Sequence, residues 1–263
     1  MPGGGDARGD RGVARFRFHG ILEDLLPLSR RGATIEQAFT GERCVKDAIE
    51  ALGVPHPEID AILIDGLAVD FDRPLHAGDL VDVFPPAYAP AHGSLTPPIP
   101  SPPRFVLDGH LGRLARYLRM LGFDAAYRSD ADDEWLAQVS AREARILLTR
   151  DRGLLRRAIV RNGYLPRSDD PRTQLDEVIR RYGLATEARP FTRCIRCNGR
   201  IEPVSMASVA ARLEPKTKRY YDTFGRCDTC GAVYWPGSHF ERMRRFVDDV
   251  TNGTRPQWRP PAR

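Results

Sequence analysis

Four cysteines stand in two pairs, Cys194-Ile195-Arg196-Cys197 and Cys227-Asp228-Thr229-Cys230. A two-residue spacer lets both sulfurs of a pair reach one ion, and two such pairs supply the four thiolates of a tetrahedral Zn²⁺ site. Asn198-Gly199 and Gly231 follow the pairs and offer the tight turns that a zinc knuckle needs. A site closed by four sulfurs has no open position, so its role is structural. Free thiols or disulfides are the alternative, and a cytoplasmic setting disfavours the latter. The 29 residues between the pairs exceed the usual ribbon spacing, so an arm or strand pair should protrude there. It carries Lys216, Lys218 and Arg219 beside Tyr220 and Tyr221, cations for phosphate and rings for base stacking. The same residues also read as a solvated strand with one tyrosine packed inward.

A second set of candidates is acidic. Asp108 follows "RFVL", Asp130 follows "AAYRS", Asp151 follows "ILLTR", and Asp169 and Asp170 follow "YLPRS". Each preceding stretch reads as a strand, so each acid falls just past a strand's carboxyl end, where open α/β sheets place their ligand crevice. Several carboxylates on one rim repel one another unless cations occupy it, and Mg²⁺ or Mn²⁺ prefer such oxygens. Two such ions can clamp the attacking and leaving oxygens of a phosphodiester displacement. Aspartate is also a favoured helix N-cap, and a strand-to-helix loop is where a cap belongs. Arg150 and Arg152 flank Asp151, and Arg113, Arg116 and Arg119 recur at three-residue spacing along one predicted helix. They read as phosphate contacts or as a solvated helix face.

The elements that must position these residues alternate. From Arg104 onward, strands at "RFVLDG", "DAAYRSD", "RILLTRD" and "YLPRSD" are each followed by a helical pattern: "HLGRLARYLRMLG", "DDEWLAQVSAREA", "RGLLRRAIVRNG" and "PRTQLDEVIRRYG". Four such repeats predict a small, mostly parallel sheet covered by helices, an α/β fold. Upstream, "ARFRFHG" alternates as a strand and "ILEDLLPLSRRG" offers a second strand and turn. "TGERCVKDAIEALGVP" is a helix, "AILIDGLAVDF" a hairpin turning at Asp65-Gly66, and "RPLHAGDLVDVFPP" a turn and last strand. Between the halves, residues 85 to 103 hold eight prolines, which makes a semi-rigid spacer.

The charge divides the same way. Residues 1–103 carry 9 Lys and Arg against 15 Asp and Glu, whereas residues 104–263 carry 31 against 20. A basic surface for a polyanion therefore belongs to the second half. No apolar run approaches the roughly 20 residues that span a bilayer, and "MPGGGDARGDRG" lacks a signal peptide's apolar core, so a cytoplasmic location without a membrane partner is expected.

Two resemblances sharpen this reading. The upstream element order resembles the ubiquitin-like β-grasp, particularly the sulfur carriers of thiamine and molybdopterin synthesis, whose last strands read like "DRPLHAGDLVDVFPP". Those carriers end in a free Gly-Gly, whereas this chain runs on through Ala87-Tyr88-Ala89, so the expected role is accessory or docking, toward an unidentified protein partner. Downstream, "FVLDGHLGRLARYLRMLGFDAAY", "RILLTRDRGLL" and "VYWPGSHFERM" resemble the Mut-seven C-terminal RNase family, a branch of the PIN-like nucleases, over about residues 104–250. That resemblance implies three or four acids holding Mg²⁺ or Mn²⁺ for cleavage of single-stranded RNA. Asp108 and Asp151 match the first-strand and "TRD" acids. The middle acid is open among Asp130, Asp132, Asp133 and Glu134, and the fourth between Asp169 and Asp170. RNA, with tRNA or the ribosome among the options, is the implied partner, and a catalytically weak RNA- or ribosome-binding factor on the same fold is the alternative. The expected organisation is a tail (1–12), a β-grasp domain (13–86), a linker (87–103), a nuclease-type domain (104–187), a zinc ribbon with a closing helix (188–250) and a basic tail (251–263).

Overall fold

The computed structural model describes residues 11–86 and 94–251; the expected amino-terminal tail to residue 10, linker residues 87–93 and the basic tail from 252 lie outside the described residues. The described residues group into two compact units. One takes those of Met1–Pro98 together with Asp151–Leu165, and the other those of Ile99–Arg150 and Pro166–Arg263.

In the first unit, strand β1 (Arg11–Phe18) alternates strictly between exposed and buried positions, with Ala14, Phe16 and Phe18 inside. The stretch after it, expected to give a second strand, forms short 3₁₀ turns instead at Gly20–Leu25 and Leu28–Arg30. Leu22 and Leu25 are the reason: three residues apart, they fall on one side of a helix with three residues per turn, and both are buried. The second strand is β2 (Ile35–Thr40), antiparallel to β1. Helix α1 (Val45–Ala51) buries Val45, Ala48 and Ile49. Strands β3 (Ala61–Ile64) and β4 (Leu67–Val69) form the expected hairpin, with Asp65 and Gly66 at positive φ (49° and 82°), as a two-residue turn demands. Strand β5 (Leu80–Phe84) returns beside β1 in parallel. The order β2-β1-β5-β3-β4 is that of the ubiquitin-like β-grasp.

The second unit opens with β6 (Arg104–Leu107), α2 (Gly112–Met120), β7 (Asp124–Tyr127), α3 (Asp133–Glu143) and β8 (Ile146–Leu148). Both β7 and β8 pair in parallel with β6, one on each side. The segment Asp151–Leu165, grouped with the first unit, carries α4 (Arg152–Leu155) and β9 (Gly163–Tyr164). The longer helix expected here stops after one turn because tertiary contacts take over: the buried Val160 offers its carbonyl to a side chain of the first unit. Helix α5 (Pro171–Tyr182) starts on a proline in its first turn, as expected. The ribbon follows as β10 (Ile201–Val204), α6 (Met206–Val209), α7 (Pro215–Tyr220), β11 (Phe224–Cys227) and β12 (Val233–Tyr234), closed by α8 (Ser238–Val250). Between the cysteine pairs, β10 and β11 form the expected antiparallel strand pair, and the arm beyond them is helical at α6 and α7, so Lys216, Lys218, Arg219 and Tyr220 stand on a helix and not on a strand. Pro215 opens α7, and Val209, Leu213 and Phe224 form a small core of the arm against which Tyr221 packs.

Candidate functional site

The four cysteine sulfurs all lie within 4.8 Å of one another. Cys194 and Cys230 approach to 3.7 Å and Cys197 and Cys227 to 3.4 Å, close to the ~3.8 Å sulfur separation that ~2.3 Å zinc–sulfur bonds set in a tetrahedron. Each pair sits in a tight turn. The Asn198 amide donates to the Cys194 carbonyl and the Gly231 amide to the Cys227 carbonyl, and Asn198 and Gly231 take positive φ of 72° and 68°. At Gly199 a Cβ would lie 2.7 Å from the Cys227 sulfur, so only glycine fits. Burial opposes ionisation at Cys194, but the Tyr234 hydroxyl at 3.0 Å and nearby amides outweigh it and bring this thiol down to about 6. At Cys197, burial and hydrogen bonds with neighbouring sulfurs push the thiol up to about 12. Four sulfurs this close hold four negative charges only around a cation, so the donor set fits zinc.

What fixes the ribbon to the parallel sheet lies partly in Asp124, Arg145 and Arg193, which the sequence did not single out. Asp124, at the start of β7, accepts from Arg145 (2.6 Å) and from the Asn198 amide group (2.7 Å), with Arg193 at 3.4 Å. The Asn198 side-chain oxygen Oδ1 in turn accepts from the Ala125 backbone amide. Burial works against the Asp124 charge, yet these donors hold its carboxyl below the ordinary value. Arg119, expected to continue the exposed stripe of Arg113 and Arg116, is buried instead. A three-residue step falls short of a 3.6-residue turn, so the third arginine rotates inward. Its guanidinium donates to the carbonyls of Ala125, Ile195 and Arg196, and burial lowers its pKa. The signal in the sequence was a charge amid apolar residues in "LRMLGFD", which periodicity alone does not separate from a solvated face.

The acids take diverse positions. Asp108 follows the last residue of β6, half-buried, and accepts from the Thr149 hydroxyl at 2.8 Å, while the Asp108 amide donates to the Leu148 carbonyl. It makes no side-chain cap bond to the turn that follows. Tyr127 supports that turn by donating to the Gly109 carbonyl, and Gly112 lacks the Cβ that would clash with the tyrosine oxygen at 2.6 Å. Asp132 caps α3 through the Trp135 amide, and Asp170 caps α5 through the Arg172 and Thr173 amides. Asp130 pairs with Arg128, and Asp169 pairs with Arg150. Glu134 accepts from Gln138, and Asp133 opens α3. In the first unit, Asp151 caps α4, accepting from the Gly153 and Leu154 amides, while Arg152 donates to the Gly53 carbonyl. Among the described residues, the four cysteines are the group of three or more His, Cys, Asp or Glu side chains within metal-sharing reach, and the acids form no second one.

The cationic candidates are exposed at Arg113, Arg116, Arg150, Arg152, Lys216, Lys218 and Arg219. Arg219 lies over the ring of Tyr220, itself 69% exposed. A small apolar recess opens at the ribbon among Met120, Phe191, Ile201, Tyr234, Trp235 and Phe240, and none of the acids lines it. No helix among the described residues is long and apolar enough to cross a membrane.

Comparison with known families places two models on this chain. The model described as Mut7-C RNAse domain matches residues 103–247, and the one described as Mut7-C ubiquitin matches residues 12–90. No curated protein matches the chain.

Proposed function

Because the chain belongs to the Mut7-C RNase family, a ribonuclease-type family, we propose that it is a divalent-metal-dependent ribonuclease whose reaction is centred on Asp108. The observation that carries this is the sheet order. With β7 on one side of β6 and β8 on the other, the strand order reverses between β6 and β8, and ligands of open α/β sheets bind outside the carboxyl ends at such a reversal. Asp108 and Thr149 stand there, joined by their hydrogen bond. A half-buried carboxylate that caps no helix is available to a ligand, and its anionic oxygens match a hard cation.

Mg²⁺ or Mn²⁺ would be held by Asp108, with the acids after β7 and β9 (Asp130, Asp132 and Asp169) as further oxygen donors, and would neutralise charge on the phosphate under attack; Asp151, the "TRD" acid, is a further candidate for the reaction. One or two carboxylates suffice for such an ion, because water and substrate phosphate complete its shell. The chain's own residues then divide the remaining work. Thr149 orients the Asp108 carboxylate by its hydroxyl. Arg113 and Arg116 on α2, with Arg150 and Arg152, bind backbone phosphates, and Lys216, Lys218, Arg219 and Tyr220 on α7 add charge and a stacking surface for single-stranded RNA.

A second reading rests on the ion pairs. Asp130 is engaged by Arg128 and Asp169 by Arg150, and a rim neutralised by arginines suits a factor that binds RNA, on the ribosome or elsewhere, without cutting it. The two separate in one assay: a labelled RNA pool incubated with Mn²⁺, with Mg²⁺ or with chelator alone. A nuclease yields fragments in the metal lanes and none with chelator. A binding factor retains the pool uncut in all three.

A further inference from the structure

The turn between α1 and β3 is polar in sequence yet fully buried. Residues 54 to 60, Val-Pro-His-Pro-Glu-Ile-Asp, are all inside, with His56 at 8% and Glu58 at 0% exposure. Taking a carboxylate wholly out of water is costly, so a fold keeps one there only for a specific bond. Glu58 accepts from the Leu165 amide at 2.8 Å. His56 contacts the Val160 carbonyl through Nε2 at 2.8 Å, and its Nδ1 is held by Glu50 at 2.7 Å. Phe71 lies edge-on to the ring. One residue before the turn, the Gly53 carbonyl accepts from Arg152, and a Cβ on Gly53 would sit 3.2 Å from that guanidinium. The Arg152, Val160 and Leu165 ends of these bonds all lie in Asp151–Leu165, about a hundred residues on.

Bonds of this kind do more than adhere. Apolar contact alone would hold the segment, and Leu154, Leu155, Val160, Tyr164 and Leu165 are indeed buried. Side chains directed at a particular carbonyl and a particular amide also fix the backbone's register. The segment has little structure of its own to do so, since α4 is a single turn and β9 two residues. We propose that the ubiquitin-like unit serves as an intramolecular clamp for Asp151–Leu165, with His56 and Glu58 as positioning residues that set the place of Asp151. The occupant of this surface is a segment of the same chain. The clamp stands on the hydrogen bonds; its consequence for cleavage rests on the nuclease reading above.

Hydrogen exchange on the full chain tests the clamp without relying on activity. In the parent, peptides covering 152–165 should exchange as slowly as those of β5. Glu58→Ala should speed exchange in 152–165 by roughly 10- to 100-fold while β5 stays protected, because the hydrogen bond from the Leu165 amide to the carboxyl group is lost. Glu58→Gln, whose amide oxygen still accepts from Leu165, should restore protection. In parallel, kcat for Mn²⁺-dependent cleavage should fall about ten-fold or more in Glu58→Ala and return in Glu58→Gln. If Glu58→Ala loosens β5 as well, Leu165→Pro removes the donor from the other side. Loosening of 152–164 with β5 intact then supports the clamp, and unchanged exchange overturns it. Free exchange of 152–165 in the parent overturns the clamp whatever the activity, and a loosened segment with undiminished kcat overturns the positioning role. A parent that exchanges as expected but never cleaves RNA removes the nuclease reading, and the positioning role with it, while the clamp stands.

Discussion

Asp151 shows how one residue type can answer two questions. Its side chain caps α4 through Gly153 and Leu154, the structural role that aspartate commonly plays after a strand. Asparagine caps nearly as well as aspartate but carries no charge, so the two roles separate by substitution. Asp151→Ala should lose about 1 kcal/mol of stability in denaturant melts, whereas Asp151→Asn should lose little. If Asp151 also serves the reaction, the asparagine variant should be as stable as the parent and inactive on RNA. An active Asp151→Asn enzyme would leave it a cap alone. From sequence, the cysteine pairs were legible at this scale because their spacing has few other uses. The acids were less so, because a cap and a metal ligand look alike until the amides around them are placed. Asp124 went unread and Arg119 was taken for part of an exposed stripe: both are charges that the fold buries against partners 20 or more residues away, Arg145 and Asn198 for one, Ile195 and Arg196 for the other.

At the level of elements, alternation of strands and helices was visible wherever apolar periodicity was strong, in β1, α2, α3 and α5. It failed where a segment takes its shape from distant contacts, as after Leu155, or where a three-residue period imitated a strand, as at Leu22 and Leu25. The junction of ribbon and sheet gives a prediction at this scale. Asp124 has a lowered pKa in the folded chain, so it contributes stability above the ordinary carboxylate value of 3.8, and that contribution disappears as pH falls through the lower folded value. Asp124→Asn should therefore be about 2 kcal/mol less stable than the parent at neutral pH, and the gap should close below about pH 4. A gap that stays constant into acid would show that Asp124 is not charged where it meets Arg145. Zinc should hold the ribbon itself: metal analysis of reduced parent protein should find about one Zn²⁺ per chain, and Cys227→Ser should lose it with the ribbon's protection from proteolysis. Parent protein free of zinc would refute the assignment of the four sulfurs.

For the whole molecule, the division of charge between the halves was readable, and so were the two fold types; the membership of Asp151–Leu165 was not. Chain order puts this segment in the middle of the downstream domain, but its buried bonds to the 53–58 turn group it with the upstream unit. Sequence patterns report local periodicity, and a bond between His56 and a carbonyl 104 residues away leaves no such trace. The consequence is measurable. A protease site introduced between Pro86 and Ser94 should, once cut, leave two fragments that co-elute on gel filtration, because the downstream fragment carries a segment that the upstream unit holds. Fragments that separate under native conditions would contradict this grouping.

The most direct test of the nuclease account is Asp108→Asn, assayed for Mn²⁺-dependent cleavage and for binding on one labelled single-stranded RNA. Asparagine preserves the shape and an acceptor for Thr149 while removing the charge that a divalent ion requires. The parent should cut the RNA, Asp108→Asn should lose at least about a hundred-fold in rate, or more than ~2.7 kcal/mol of transition-state stabilisation, and both should bind it equally through the basic surface. Cleavage by Asp108→Asn at the parent's rate would contradict the nuclease reading.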